Sequence, residues 1–303
     1  MRKKNLLVMI NISIVVPVFN MVDTIEQTLQ SIWSQDYQNL QLIVVDGGST
    51  DGTKEFLYQN SNKIDILISE KDDGQYHAIQ KGMDLANGDV VSWLNADDVY
   101  FPWTFKSVNR CFAMNYSVNW IAGLPSFLDA GGDLSHIFNN VSSRPRDIIR
   151  KGGFRSNVYG YLQQESMFFK KSLLDSVGGL NLEYELASDF ELWLKFADKT
   201  DIVSVNLPLA AFRINPNSRS KILVNDYVKE VRSVLDEVGN HFKIIELLSR
   251  VNSLNKLIRS LTWRKQNVIY YSILRREWIY KSAYRPISTV SLSNLLLEAN
   301  SKG

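Results

Sequence analysis

The run VVSWLNADDVY (residues 90–100) is apolar as far as Leu94 and then delivers Asn95, Asp97 and Asp98. Neighbouring carboxylates repel each other unless a cation lies between them, and hard divalent cations prefer oxygen ligands, so this turn is a candidate metal site. Asn and Asp also close strands as ordinary turn formers, through side-chain bonds to nearby backbone. Three further turns carry polar groups after apolar runs: Asn20 after ISIVVPVF, Asp46 after LQLIVV, and Asp72 in SEKDDG. The segment DGGSTDG (residues 46–52) has the spacing of neither a dinucleotide fingerprint nor a Walker loop.

Such turns work together only if a scaffold gathers them. ISIVVPVFN (12–20) reads as a strand, and DTIEQTLQSIWSQ (23–35) as a helix with Asp23 as its cap. LQLIVVDGGSTDGT (40–53) repeats the pattern, with Ser49 or Asp51 opening the next helix. KIDILISEKDDG supplies a third strand, QYHAIQKGMDLANG a helix ending at Gly88, and DVVSWLN a fourth strand. This alternation predicts an α/β fold with a mostly parallel sheet. Ligands bind beyond the carboxyl ends of such strands, where Asn20, Asp46, Asp72 and Asp97 all fall.

Residues 123–160 read as loops with short strands. YLQQESMFFKKSLLDSVGG then reads as a strand feeding a helix that stops at Gly178-Gly179, and ASDFELWLKFADK as a helix with Ser188 or Asp189 at its start. From residue 222 the pattern is helical, through Tyr227, Val231, Val234 and Leu235.

Composition sets the setting. With 303 residues and 45% apolar content the chain can bury a large core, and its single cysteine, Cys111, cannot form an internal disulfide. Its three histidines lack metal-ligand spacing. The apolar stretch Leu6 to Phe19 is too short and too polar to span a bilayer, and reads as a buried strand despite its basic start. Net charge is +2, yet residues 221–303 hold 14 Lys and Arg against 7 Asp and Glu. Between Arg250 and Arg285 nine basic residues stand with one acid, Glu277, interleaved with Trp263, Tyr270, Tyr271, Trp278, Tyr280 and Tyr284. Cations beside amphipathic rings suit an anionic membrane surface better than nucleic acid, and a solvated face is the plainer alternative. The expected location is cytoplasmic, peripheral on the inner face of the cell membrane.

The order of the motifs is specific in combination: VPVFN, DGGSTDGT, Asp72 with Gly74-Gln75, WLNADD, then QQESMFF, ASDFELW and AFRINPNSRS. Over residues 12–220 the chain resembles the family-two glycosyltransferases of the GT-A fold, in the branch that builds bacterial capsule, O-antigen and exopolysaccharide. The resemblance implies a GT-A domain over residues 1–221, with a nucleotide-sugar-binding half (1–122) and an acceptor and catalytic half (123–221). Residues 222–303 form a helical, basic C-terminal segment in this reading.

By the same resemblance, Asn95-Ala96-Asp97 stands where the family has its Asp-x-Asp motif. Asp97 is then the ligand of a divalent cation (Mn2+ or Mg2+), with Asp98 supporting the metal shell or the donor sugar and Asn95 reaching a ribose hydroxyl. Pro17, Val18, Asn20 and Asp46 would contact the nucleotide, and Asp72 the donor. Asp189 matches the catalytic base of an inverting transfer, with Glu165 as runner-up, and Arg213 and Arg219 would clamp the diphosphate. The implied partners are a nucleotide-sugar donor, with UDP ahead of GDP or TDP, and a saccharide or lipid-linked saccharide acceptor. Gly47, Asp73 and Asn215 depart from the family pattern, which keeps a degenerate sugar-binding or scaffold protein as an alternative. A nucleotidyltransferase would need a Gly-rich basic loop after the first strand, and VPVFN lacks one.

Overall fold

The computed structural model describes residues 9–114, 117–138, 144–154, 162–215, 222–237, 263–272, 275 and 277–286. The first part runs β1 (Ile12–Val18), α1 (Ile25–Trp33), β2 (Leu40–Asp46), α2 (Thr53–Gln59), β3 (Ile66–Ser69), α3 (Gln75–Leu85) and β4 (Val90–Trp93). Next come β5 (Val99–Tyr100), α4 (Thr104–Met114), β6 (Trp120–Ala122), β7 (Ser126–Leu128), β8 (Leu134–Ile137) and α5 (Arg146–Arg150). Then follow β9 (Met167–Lys170), α6 (Lys171–Ser176), α7 (Ser188–Lys199), β10 (Val203–Val205) and β11 (Ala210–Arg213). The last described elements are α8 (Val224–Glu237), β12 (Trp263–Ser272) and β13 (Glu277–Pro286).

Nine strands form one sheet in the order β13-β12-β10-β6-β9-β4-β1-β2-β3. β1 pairs in parallel with β2 on one side and β4 on the other, and β2 with β3. β9 is antiparallel to both β4 and β6. Strand order reverses between β1 and β4, so their carboxyl ends flank a crevice at the switch point. A smaller sheet, β5-β11-β7-β8, lies across that end of the fold, with β11 running from Ala210 to Arg213 beside β5.

Period-two alternation explains why β1 and β2 are buried on both faces. Ile12, Ile14, Val16 and Val18 of β1, with Leu42 and Val44 of β2, share one core cluster with Ile25, Leu29 and Ile32 of α1. Val15, Ile43 and Val45 enter the opposite cluster with Ala78, Ile79 and Met83 of α3. Gly82 lets α3 lie close to the sheet: a Cβ there would meet Val15 Cγ1 at 2.4 Å. This close approach carries the N-terminus of α3 to the crevice.

Several expectations change: α2 is preceded by Gly52 rather than Ser49 or Asp51, and α3 ends at Leu85 rather than Gly88. The helix of residues 25–33 is preceded by Thr24 rather than Asp23, and the Thr24 hydroxyl donates to the Ala96 carbonyl instead of capping. Among the described residues the C-terminal segment is helical over α8, whereas residues 263–286 contain an antiparallel hairpin whose strand β12 pairs in parallel with β10. Its aromatic and β-branched content fits a strand, and the open edge of β10 needs partners for its amides and carbonyls. Ile269 is fully buried there, and Trp278 and Tyr280 pack against the core. The remainder of 222–303 lies outside the described residues.

Candidate active site

The four turns expected to converge are stitched by hydrogen bonds. Asn20 follows β1 at a φ of 51°, a left-handed conformation that asparagine tolerates. Its amide donates to Ser49 Oγ (2.8 Å) and its Oδ1 accepts from the Thr50 amide (2.8 Å). Pro17 and Val18 are buried within β1, so their side chains shape the strand end rather than face a ligand. Phe19 is the residue that projects here, 58% exposed at the crevice mouth. Motif reading passed over it, although it is the first side chain past β1.

Asp46 differs from its expected role. Its carboxylate is fully buried and accepts from the Ser49 amide (3.0 Å), Ser49 Oγ (2.5 Å) and Ser69 Oγ (2.6 Å). With those bonds made, Asp46 fixes the turn and joins it to β3, and any contact to a base or ribose falls to the loop it holds. Asp72 lies over that loop: a Cβ on Gly47 would stand 2.9 Å from Asp72 Oδ2. Gly47 and Asp72 therefore fit each other, and a side chain at 47 would require the Asp72 carboxylate to shift. Asp72 Oδ1 also accepts from the Gly74 amide, 3.0 Å away, at the start of α3.

At the end of β4, Asp98 is fully buried behind the turn. Its Oδ1 accepts from the Arg213 amide (2.9 Å) and its Oδ2 from Asn95 Nδ2 (3.2 Å). Burial holds the Asp98 carboxyl well above its usual range, and the charges of Asp97 and Glu165 push the same way. Asn95 Oδ1 accepts in turn from Gln75 Nε2 (2.7 Å), the first residue of α3. Asn95 is thus a bridge between Asp98 and α3.

Arg213 also departs from expectation. Its side chain is buried, with Nε donating to the Asp97 carbonyl (2.7 Å), Nη1 to the Ala130 carbonyl (3.5 Å) and Nη2 to Gln27 Oε1. The guanidinium therefore braces the Asp97-Asp98 turn from behind and is not presented as a phosphate clamp. Arg219, its expected partner, lies outside the described residues.

Asp97 is partly exposed, and burial raises its carboxyl while the Arg213 charge opposes this. Among the described residues no side chain hydrogen-bonds its carboxylate, and no group of three or more His, Cys, Asp or Glu is placed to hold a metal. One available carboxylate suits a cation that keeps most of its shell from water and substrate phosphates, as Mg2+ does. The donor set is one carboxylate and not a protein cage, so a divalent ion would fit here only with most of its ligands from outside the chain.

Asp189 is the second residue of α7, close to a helix N-terminus that favours its ionised form. Tyr76 Oη donates to Asp189 Oδ1 at 2.8 Å, and the Phe190 amide donates to the same oxygen at 2.7 Å. Oδ2 receives neither bond. Burial raises the Asp189 carboxyl, opposed by those two hydrogen bonds and assisted by the charge of Glu230. Glu165 is buried near both acids: its Oε2 has no hydrogen-bond partner, and burial pushes it up to about 8, with the charges of Asp97 and Asp189 adding. Consecutive residues of α3, Gln75 and Tyr76, therefore reach the Asp97 turn and Asp189. Sequence reading noted Gln75 only as part of a motif and did not single out Tyr76.

This mixed α/β sheet with flanking helices has the architecture of GT-A glycosyltransferases. S. aureus TarS (residues 1–349, in complex with UDP-GlcNAc) superposes with a TM-score of 0.57 at 16% identity, over 83% of this chain and 82% of that one. The Pyrobaculum calidifontis mannosyltransferase PcManGT, in complex with GDP-Man and Mn2+, gives a TM-score of 0.54 at 19% identity, over 82% and 73%. The chain belongs to glycosyl transferase family 2, whose model matches residues 13–173.

Among sequence relatives, an uncharacterized glycosyltransferase of Rickettsia prowazekii is 35% identical, over 71% of this chain and 67% of its own length. A PGL/p-HBAD biosynthesis glycosyltransferase of Mycobacterium bovis is 26% identical over 59% of this chain, and the match spans 66% of that relative.

Proposed function

We propose that the chain transfers a single sugar, with inversion, from a nucleoside-diphosphate sugar to a hydroxyl of a saccharide or lipid-linked saccharide in surface-polysaccharide assembly. The observation that carries this reading is the pair of bonds from α3, Gln75 to Asn95 and Tyr76 to Asp189, which brings the turn of Asp97 and the carboxylate of Asp189 to one helix end. In this reading Asp189 Oδ2 takes the proton from the acceptor hydroxyl as that oxygen attacks the anomeric carbon, and the bond to the diphosphate breaks on the opposite face. A raised carboxyl is better matched to that task near neutral pH than an ordinary aspartate. Asp97 would share a divalent cation with the diphosphate; when bound, that ion supplies charge stabilisation for the leaving group. The stitched turns of Asn20, Ser49 and Asp72, with Phe19 at the mouth, would receive the nucleotide, and a uridine donor is the first to test.

Membrane association belongs to the same proposal. The basic and aromatic content of residues 250–285 supports a peripheral position on the inner face of the cell membrane. No helix among the described residues is long and apolar enough to cross a membrane.

Thermal unfolding of the full chain against a panel of UDP-, GDP- and dTDP-sugars, with and without manganese, tests the donor. One donor should raise Tm by mass action, more with manganese than in chelator, and Asp97→Asn should lose that difference. A scaffold that has lost catalysis would still be stabilised, yet release no nucleotide when acceptor is supplied. Failure of every nucleotide sugar to stabilise the chain would overturn the reading.

A further inference from the structure

Helix α8 follows the last family motif by a few residues and is not part of the matched segment 13–173. It is nevertheless joined to the chain around Asp189. Val231, Val234 and Leu235 pack with Tyr184, Ala187, Phe190 and Leu194 in a core cluster of their own. One carboxylate on this helix, Glu230, accepts three consecutive backbone amides: Glu185 (3.3 Å), Leu186 (2.8 Å) and Ala187 (2.9 Å). Those amides immediately precede α7, and Ala187 stands two residues before Asp189. The Leu186 carbonyl in the same loop accepts from Tyr76 Oη at 3.1 Å, an alternative to Asp189 Oδ1 for the one hydroxyl proton.

We infer that Tyr76 and Glu230 are positioning residues for Asp189, and that helix α8 is thereby part of the catalytic site and not a separate appendage. This rests on Asp189 acting as the base. Glu230 fixes the loop that aims the carboxylate, and Tyr76 holds Oδ1 so that Oδ2 faces the acceptor. The two act on the carboxylate with opposite electrostatic sign. A hydroxyl donor stabilises the ionised form, whereas a neighbouring negative charge opposes it. The titratable groups near Asp189 are Tyr76 from α3, Glu165 from the turn before β9 and Glu230 from α8, with Tyr227 of α8 acting on Tyr76. Of these, Glu165 is shared by every variant below and its contribution cancels in the comparison.

The test needs no donor or acceptor. In the full chain labelled with 13Cγ-aspartate, the Asp189 carboxyl resonance is assigned by its loss in Asp189→Asn and titrated by NMR. Tyr76→Phe should move the Asp189 midpoint upward, because the ionised form loses a donor. Glu230→Gln should move it downward, because a negative charge is removed while the carboxamide oxygen still accepts from the loop amides. General loosening of the fold gives no such opposed pair. Should Glu230→Gln prove unstable, Glu230→Asp, which keeps the charge at shorter reach, should leave the midpoint higher than any charge-neutral replacement that folds. Midpoints that stay in place, or move in the same direction, overturn the inference. The base reading is separately exposed: if Asp189→Asn still transfers sugar, that reading falls and the role of α8 with it. Loss of transfer in Asp189→Asn alongside an unmoved titration sinks the inference alone.

Discussion

Trp93, the last residue of β4, and Trp193 of α7 stack face to face, with ring centroids 5.7 Å apart and planes 4° from parallel. Four residues beyond Trp93 stands Asp97, and four before Trp193 stands Asp189. The stack is the apolar counterpart of the α3 bonds, tying the strand that leads to the Asp97 turn to the helix that carries Asp189. Trp120, Phe169 and Phe196 complete an aromatic cluster around Trp193, at centroid distances of 5.7, 6.0 and 5.6 Å.

Trp193→Ala should therefore destabilise the protein by about 3–5 kcal/mol, the range for emptying a large aromatic site in a packed core. Trp193→Phe should cost clearly less. It keeps aromatic contacts and removes an indole N–H that is buried without an acceptor among the described residues. Urea denaturation of the two variants checks the order, and equal losses would show that the cluster does not depend on packing at this site.

A second prediction concerns pH. Glu165 is raised from 4.5 to about 8 by burial first, then by the charges of Asp97 and Asp189. A carboxyl raised in the folded state binds more protons folded than unfolded between those two values, so the stability it confers is full below 4.5 and lost as pH rises through about 8. The metal-free protein should lose stability across that window, and Glu165→Gln should flatten the profile while raising stability at its alkaline end. Chemical denaturation at a series of pH values reads this directly. An unchanged slope in Glu165→Gln would place the titration on another group.

Much of the fold was legible because local pattern and global topology agree. Alternation in β1 and β2 and helical spacing in α1 each required only the residues of one element. The crevice followed from strand ends alone. What could not be read was whether a motif side chain still has bonding capacity to offer. Asp46 and Arg213 have residue types suited to ligand contact, yet their partners Ser49, Ser69, Gln27 and the Asp97 carbonyl use them internally. Glu230 and Tyr76 were invisible for a different reason: they reach across 43 and 113 residues to the loop and the carboxylate that they hold. The hairpin was misread because basic and aromatic composition does not by itself distinguish a strand from an interfacial helix, and the open edge of β10 decided it.

The hairpin gives the last prediction. Its two strands carry Arg264, Lys265, Lys281 and Arg285. With Trp278 and Tyr280 packed against the core, these rings are not available to sink to headgroup depth, so charge should carry any membrane affinity. A lipid-linked acceptor is confined to a surface, and a second element that holds the enzyme there raises its effective concentration. Each cation near an anionic leaflet contributes about 1 kcal/mol, or about fivefold in affinity. Reversing Arg264, Lys265, Arg275 and Arg276 should then weaken sedimentation with phosphatidylserine vesicles by orders of magnitude and make the residual binding less sensitive to salt. The same variant should transfer normally to a water-soluble acceptor, since strands β12 and β13 lie toward the far edge of the sheet from β1 and β4. Vesicle binding that survives the reversal would leave the hairpin as the edge of the sheet and nothing more.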